Sequence, residues 1–341
     1  MRFAVILTLL ALPWFAQADK YVIYDDPEQP LSEELHAYLQ GESRILTMDL
    51  TAEEADEMRA EGMVIERVVQ FKVTGWVDET PHADATWASG AMKVPEAHKL
   101  SNTKGAGKKV CVVDTGIDRN HSLLKGKVHS ATSKVPGSNE YDRQGHGTHV
   151  ASLIAGSTDI GASATSAKII SVKALGDDGV GDSDWIAQAV ESCVKQGAHV
   201  INMSLGSDFP SEVMRRAVRD ARSAGVIVVA ASGNEGGSIS YPAAYPGVVS
   251  VGATTSSKQI ASFSNRGAGL GYVAPGQSIQ GARAGGGTVN MSGTSMAAPF
   301  AAGMIAMRLA KGTKSLGVND LGFSSSLQGA GQVDALKTAG K

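Results

Sequence analysis

Short runs of consecutive apolar residues alternate, from residue 108 onward, with longer segments in which apolar residues recur every three or four positions. The runs predict strands and the longer segments predict helices. Strands are predicted at 108–114, 167–175, 199–206, 225–232 and 247–254, and helices at 149–156, 182–197 and 210–225. A further buried helix is predicted behind Ser295, in the second half of the segment 293–307. Since the strands are apolar throughout, both faces of their sheet should be covered. The predicted fold class is therefore α/β, a doubly wound and mostly parallel sheet with helices on both faces and right-handed crossovers.

A smaller unit, richer in Asp and Glu and poorer in Gly, is predicted at residues 19–80, ahead of this sheet. Its hydrophobic pattern predicts the order β-α-β-α-β, with strands at 21–24, 44–50 and 63–73 and helices at 32–40 and 51–60. The second helix starts with TAEE, which has the Thr and Glu spacing of a capping box. Residues 75–90 are mostly polar and predict an exposed connection, where proteolytic processing concentrates.

The first 18 residues have the pattern of a secretory signal peptide. Arg2 precedes an apolar run from Phe3 to Phe15, and small residues end the segment at Ala18. The run is too short to span a bilayer comfortably, so a retained membrane anchor is the weaker alternative. We therefore expect the mature protein to be secreted.

Composition sets further bounds on the protein. With 341 residues, 43% of them hydrophobic, the chain can bury a large core. Its net charge of −3 predicts no attraction to nucleic acid or to anionic membrane surfaces. The two cysteines, Cys111 and Cys193, match no metal-ligand spacing. In an exported protein they could pair and close a long loop, which in theory stabilises the fold by about 4 kcal/mol; the alternative is two buried free thiols.

Three reactive side chains lie where one edge of the predicted sheet could bring them together. Asp114 ends an apolar strand, and the carboxyl ends of parallel strands share one edge. His146 lies between glycines at the start of a helix, and Ser295 precedes a buried helix whose free backbone N–H groups favour negative charge. A serine hydroxyl is a weak nucleophile, so it needs an imidazole to take its proton and an acid to orient that imidazole. The three together predict acyl transfer.

Asn234 follows another buried strand, and its amide could donate to a developing oxyanion together with the Ser295 N–H. Each of these residues also has an ordinary structural interpretation. Ser295 could be an N-cap, Asp114 a turn former and Asn234 an Asx turn. A metal pair of His146 and His149 is disfavoured because the spacing is wrong and no third ligand follows, and we interpret His149 as structural.

Four sequence blocks resemble the signature motifs of one enzyme family. They are VVDTGID at 112–118, GHGTHVA at 145–151, ASGNEG at 231–236 and GTSMAAP at 293–299. These blocks, and the chain order Asp, His, Ser, are similar to those of the subtilisin-like serine peptidases, the subtilases. The resemblance covers residues 92–340. The short connection at 154–166 is more similar to the proteinase K side of the family.

The resemblance implies that Asp114, His146 and Ser295 form a catalytic triad and that Asn234 is the oxyanion donor. It also implies three groups of substrate-binding residues. An edge strand that pairs with the substrate backbone is formed by Ser204, Leu205 and Gly206. One wall of the S1 pocket is formed by Ala231, Ser232 and Gly233, and the floor of the pocket by Ser240. Pairing with the substrate backbone predicts broad specificity. We expect Glu235, near the pocket mouth, to favour mildly a basic P1 side chain.

The same resemblance implies that residues 19–80 are an inhibitor-type propeptide and that the catalytic domain follows at 92–341. A large parallel sheet depends on contacts distant in sequence and folds slowly unaided, so a separately folding partner can assist it. We expect self-cleavage between Gly75 and Ala88, with the propeptide then acting as an inhibitor. The other expected partners are protein or peptide substrates. We expect no binding to nucleic acid, no membrane association after the signal peptide is removed, and a monomeric enzyme.

No cofactor is expected to be required. Many subtilisins have a strong calcium site that includes an aspartate. In this sequence Leu123 stands at the position of that aspartate, and the loop that completes the site is shorter. The acidic segment 176–184 could hold a weaker calcium ion but is more typical of solvated turns.

The sequence thus predicts a secreted serine endopeptidase of broad specificity that acts through an acyl-enzyme and matures by self-cleavage. One alternative is a catalytically silent subtilase-fold binding protein, against which the filled triad positions argue. Another is a processing protease for basic pairs, which would need a strongly acidic S1 pocket.

Overall fold

Strands and helices alternate along most of the computed structural model, which describes residues 18–25, 44–78, 84–100, 104–312 and 316–340. The strands are β1 Asp19–Tyr24, β2 Ile45–Leu50, β3 Val64–Arg67, β4 Gln70–Val73, β5 Trp76–Val77, β6 Lys109–Asp114, β7 Val128–Ser133, β8 Lys168–Lys173, β9 Val180–Asp182, β10 Val200–Met203, β11 Leu205–Gly206, β12 Ile227–Ala231, β13 Val249–Thr254, β14 Tyr272–Pro275, β15 Ile279–Ala282, β16 Thr288–Ser292, β17 Val318–Asn319 and β18 Gln332–Val333. The helices are α1 Ala52–Ala60, α2 Trp87–Ala91, α3 Val94–Leu100, α4 His146–Ala155, α5 Ser183–Lys195, α6 Glu212–Ser223, α7 Thr294–Lys311, α8 Ser325–Gln328 and α9 Ala335–Thr338.

Nine strands form the central sheet in the order β17-β18-β14-β13-β12-β10-β6-β8-β7. Neighbouring strands are parallel from β18 to β7, and the terminal strand β17 is antiparallel to β18. Successive residues of β6 pack on opposite faces. Val110 and Val112 lie in the cluster that contains α4 and α7, whereas Cys111 and Val113 lie in the cluster that contains α5 and α6. Helices therefore cover both faces, as the uninterrupted apolar strands predicted.

Two predicted strands are each wrong as single elements. The segment 199–206 divides into β10, within the central sheet, and β11, which pairs with β4 in a separate three-stranded sheet. The segment 63–73 divides into β3, which pairs with β1, and β4, which pairs with β9 and β11. In both cases a single apolar run contributes strands to two different sheets. Hydrophobic periodicity along the chain does not show at which residue the pairing changes from one sheet to the other.

The N-terminal unit is a three-stranded antiparallel sheet, β2-β1-β3, with α1 packed on it. The capping box at the start of α1 is present. Along β1, Tyr21 and Ile23 face the unit's own small core, whereas Val22 and Tyr24 join the core beneath α5 and α6. Because successive side chains of a strand point to opposite faces, one face of β1 packs in its own unit and the other packs against the larger domain.

Two of the segments predicted from the sequence cannot be compared with the structure. The signal peptide, apart from Ala18, and the helix predicted at 32–40 lie outside the described residues. Among the described helices, none combines the length and hydropathy needed to cross a lipid bilayer.

Helix α7 passes beneath the middle of the sheet and contacts β10, β12, β13 and β14. Its residues 294–307 are all buried. Gly293 precedes the helix with a φ of 142°, a conformation that favours glycine, and this bend turns the chain from β16 into the helix. The helix N-terminus, with Ser295 in its first turn, therefore lies at the sheet edge where β6, β10 and β12 end.

Candidate active site

Asp114 and His146 meet at this edge because Asp114 ends β6 and His146 begins α4. His146 Nδ1 lies 2.8 Å from Asp114 Oδ1, and both side chains are 1% exposed. The same carboxylate oxygen accepts a 2.8 Å hydrogen bond from the Thr115 N–H. A carboxylate held against Nδ1 fixes the tautomer of the ring, so Nε2 is the nitrogen that can accept a proton.

Asp142 is a buried residue beside this pair that the sequence analysis missed. It is fully buried, and its two oxygens accept hydrogen bonds from Thr115 Oγ1, Gly145 N, Thr148 N and Thr148 Oγ1 at 2.7–2.8 Å. It therefore ties the loop after β6 to the N-terminus of α4, the two segments that carry the Asp114–His146 pair. An aspartate just ahead of a helix start is the available sequence signal, since carboxylates stabilise helix N-termini.

Ser295 lies in the first turn of α7, facing the other side of the same edge. Its Oγ donates to Ser204 O at 2.9 Å and lies 2.7 Å from Thr74 Oγ1. His146 Nε2 has no hydrogen-bond partner among the described residues, so the serine and the imidazole are not yet bonded. Both lie against Gly75: a β-carbon there would be 3.1 Å from His146 Nε2 and 3.2 Å from Ser295 Cβ.

Asn234 and Ser295 converge on one carbonyl oxygen. Asn234 Nδ2 donates to Thr74 O at 2.6 Å, and the Ser295 N–H donates to the same oxygen at 3.1 Å. The amide orientation follows from its other end, because Asn234 Oδ1 accepts from Thr294 N and Thr294 Oγ1, each at 2.9 Å. Two donors on one carbonyl oxygen form the geometry that stabilises a tetrahedral oxyanion.

Comparison with known proteins identifies the family that has this arrangement. The model of Peptidase_S8, the subtilase family, matches residues 105–321. The alkaline protease of Shouchella clausii is 39% identical over 294 residues, which are 85% of this chain and 74% of that protein. Subtilisin Savinase of Lederbergia lenta is 45% identical over 226 residues, 65% of this chain and 82% of its own. The chain belongs to the subtilase family. Subtilases are serine endopeptidases with an Asp–His–Ser triad, and this chain is one of them.

In this subtilase, two edge strands flank β4 and make a cleft. On one side Val73 and Lys72 pair antiparallel with Leu205 and Gly206 of the predicted edge strand, and Ser204 O accepts from the Thr74 N–H at 3.4 Å. On the other side β4 pairs antiparallel with β9. The prediction of solvated turns throughout 176–184 is therefore wrong for β9, because pairing with β4 satisfies its backbone. Sequence alone gave little signal for a three-residue strand that forms only against this partner.

Three of the predicted pocket residues, Gly206, Gly233 and Ser240, lie together next to the Thr74 side chain. A β-carbon at Gly206 would lie 3.1 Å from Thr74 Cγ2 and 3.4 Å from Ser240 Cβ, and one at Gly233 would lie 2.5 Å from Ser240 Oγ. Ser240 thus lies between the two glycines. Ala231 and Ser232 are fully buried, and Ser232 Oγ donates to Asn265 O at 3.0 Å, so these two residues support the wall from behind.

Glu235 lies beside the pocket wall, where a β-carbon at Gly233 would be 2.9 Å from its Oε2. Its Oε2 accepts from Asn234 N at 2.8 Å and from Asn265 Nδ2 at 2.9 Å, while Oε1 lies 4.0 Å from Lys72 Nζ. One oxygen therefore lies near Lys72, two positions before Thr74, and the preference for a basic P1 side chain stays a prediction. Because both partners of this ion pair are well exposed, its contribution is small.

His149 lies one turn into α4 and points away from the triad edge. Its Nε2 donates to Ile279 O at 3.0 Å, and burial lowers the pKa of His149 to about 4, so the ring is neutral. A neutral, hydrogen-bonded histidine that joins α4 to β15 has a structural role. Over the described residues, no group of three or more His, Cys, Asp or Glu side chains is placed to hold a metal ion.

Cys111 and Cys193 are joined in the structure as a disulfide between β6 and α5, with Cα atoms 5.8 Å apart and 82 positions separating them along the chain. Both are fully buried. The bond attaches the strand that ends in Asp114 to a helix on the face covered by the N-terminal unit. The sequence left bonded and free thiols open, and the geometry favours the bonded form.

Proposed function

We propose that this chain is the precursor of a secreted serine endopeptidase in which Asp114, His146 and Ser295 are the triad and Asn234 is the oxyanion donor. The observation that carries the proposal is the convergence of Asn234 Nδ2 and Ser295 N on a single carbonyl oxygen, at 2.6 and 3.1 Å, beside the buried Asp114–His146 pair. That combination supplies both the acid–base pair and the electrostatic stabilisation that acyl transfer requires.

The proposed reaction has two half-reactions, and in each of them His146 acts first as a base and then as an acid. Ser295 Oγ turns about its Cα–Cβ bond from Ser204 O towards His146 Nε2, gives up its proton there and attacks the substrate carbonyl carbon. His146 then protonates the leaving amine, and Asp114 stabilises the charged imidazole. Water repeats these steps in the second half-reaction and releases the acyl group as a carboxylic acid.

Broad specificity is proposed because the cleft binds an extended backbone. Hydrogen bonds from β9 and β11 to the main chain do not depend on side-chain identity, so many sequences can occupy the cleft. Secretion is proposed from the signal-peptide pattern at residues 1–18. The Cys111–Cys193 bond is consistent with an oxidising compartment.

We also propose that the N-terminal unit is a propeptide that inhibits the enzyme until it is released. Glu66 supports this role: its carboxylate accepts from Ser211 Oγ, Glu212 N and Val213 N at 2.6–3.1 Å, at the N-terminus of α6. Anions at a helix N-terminus are stabilised by the free N–H groups and the helix dipole. A unit held there, with β4 in the cleft, excludes other substrates.

Replacement of Ser295 tests the proposed function. A fluorophosphonate probe should label the processed wild-type protein at Ser295, and the Ser295→Ala variant should remain unlabelled and fail to hydrolyse denatured protein. Ser257→Ala, at an exposed serine away from the cleft, is the matched control and should be labelled and active. A wild-type protein that is folded, has lost its N-terminal unit, and yet neither reacts with the probe nor cuts peptides would instead be the catalytically silent binding protein.

A further inference from the structure

The carbonyl of Thr74 occupies the oxyanion position of the site described above. Asn234 Nδ2 and Ser295 N donate to its oxygen, and the Ser295 hydroxyl is already in contact with the side chain of the same residue at 2.7 Å. This carbonyl carbon is therefore the electrophile that the nucleophile faces in the uncut chain.

The chain is extended on both sides of this carbonyl, as a bound substrate would be. Before it, β4 pairs with β9 and β11. After it, Trp76 and Val77 pair antiparallel with Ser292 and Met291 of β16, and the Asp78 N–H donates to Asn290 O at 2.9 Å. Pairing both before and after the carbonyl aligns the peptide unit that follows Thr74 across the site.

The close approach of this peptide unit to His146 and Ser295 requires a glycine at position 75. A β-carbon there would meet His146 Nε2 and Met296 Sδ at 3.1 Å and Ser295 Cβ at 3.2 Å, so these neighbours would have to shift by a few tenths of an ångström to admit it. Glycine thus allows the imidazole to approach the amide nitrogen to which it must deliver a proton.

From these contacts we infer that the Thr74–Gly75 peptide bond is the bond by which the precursor first cuts itself; the inference rests on the proposed function. Ser295 Oγ forms an ester with the Thr74 carbonyl carbon while the bond to Gly75 N breaks. The proton from Ser295 passes through His146 to Gly75 N, which becomes the new amino terminus. Water then hydrolyses the ester and leaves Thr74 as a C-terminal carboxylate. The bond lies one position upstream of the 75–88 segment expected from the sequence.

Mapping the first cut in the full-length precursor tests the assignment. Asn234→Ala removes one oxyanion donor and should slow the reaction by roughly 100-fold or more, which makes the first products observable before trimming. Intact-mass spectrometry during the first turnover should find an N-terminal fragment that ends at Thr74 and a partner that begins at Gly75. A first N-terminal fragment with any other C-terminus overturns the assignment.

A pair of variants tests the role of Gly75 separately. In Gly75→Val the branched side chain would press on His146 and Ser295, so cleavage at this bond should slow at least 100-fold, with any residual cut displaced to another bond. Gly90→Val makes the same change at an exposed glycine of α2 where a β-carbon would meet nothing within 4 Å, and this control should be cut at Thr74–Gly75 at close to the wild-type rate. Equal rates at this bond in both variants overturn the steric reason given for glycine.

The outcomes separate this inference from the proposed function. A protein that hydrolyses added peptides but releases a first fragment ending elsewhere than Thr74 retains the function and loses only the assigned bond. A purified Ser295→Ala precursor that still cuts itself at Thr74–Gly75 overturns the self-cleavage on which the inference rests.

Discussion

Asp142 illustrates how one buried residue can act on the triad without touching substrate. Its four hydrogen bonds hold Thr115, whose N–H donates to Asp114, and the start of α4, where Thr148 lies two residues after His146. Each oxygen of the carboxylate accepts two of the four bonds. An amide at this position would retain the volume but offer one acceptor oxygen in place of two.

Asp142→Asn should therefore lower kcat with little change in KM. The amide leaves at least one buried donor without a partner, which costs about 1–3 kcal/mol, and a strained Asp114–His146 pair should lose roughly tenfold or more in rate. Rates per active site, with sites counted by a burst titration, measure this loss separately from misfolding. Asp159→Asn, at an exposed aspartate, is the control. An unchanged kcat per titrated site would show that Asp142 supports the fold alone.

At the scale of elements, the N-terminus of α6 and the side chain of Glu66 form the polar centre of the contact between the two units. Further side chains extend it: Tyr24 Oη donates to Asp220 at 2.5 Å, and Thr47 Oγ1 donates to Asp184 at 2.5 Å. Burial raises the pKa of Asp184 and the hydrogen bond from Thr47 lowers it, while Glu66 favours docking through the helix dipole.

Glu66→Gln should shorten the time for which the cut N-terminal fragment stays bound. Hydrogen bonds to a charged acceptor contribute about 1.5–3 kcal/mol each, so loss of the charge at three donors should speed release at least roughly tenfold. The onset of peptide hydrolysis after processing of the full-length precursor measures the release. Glu57→Gln makes the same charge change at an exposed position of α1 and should leave the onset unchanged. If peptide hydrolysis began at the same time in the two variants, Glu66 would not contribute to inhibition by the N-terminal fragment.

At the scale of the whole molecule, the Cys111–Cys193 bond constrains a long stretch of the chain. It closes a loop of 82 positions that includes His146 and the strands β7, β8 and β9. In the chain-entropy model such a loop stabilises the folded state by about 4 kcal/mol, mainly by restricting the unfolded chain.

Reduction of this bond should lower the melting temperature by roughly 10 °C, measured by calorimetry in the Ser295→Ala background to prevent self-digestion. The denatured, unreduced protein should contain no free thiol in a thiol assay. Cys111→Ala/Cys193→Ala should melt near the temperature of the reduced protein and should not respond to reductant. Two free thiols in the unreduced protein, with no effect of reductant on melting, would contradict the disulfide.

Several features of this protein follow from its sequence with no three-dimensional information. The uninterrupted apolar runs around Val112 and Val229 determined a sheet covered on both faces, because such strands can satisfy the hydrophobic effect only when both faces are buried. The four blocks around Asp114, His146, Asn234 and Ser295 determined the family, because each reaction role restricts its own local sequence.

Only the tertiary structure decided which distant segments meet. The carbonyl of Thr74 reaches Asn234 across 160 positions, and β9 becomes a strand only because β4 lies beside it. Asp142 acquires its role from donors on two separate segments, and the pairing of Cys111 with Cys193 depends on how α5 packs on β6. Hydrophobic periodicity is a property of neighbours along the chain. The contacts that choose the scissile bond and position the triad arise from packing between elements that the sequence keeps far apart.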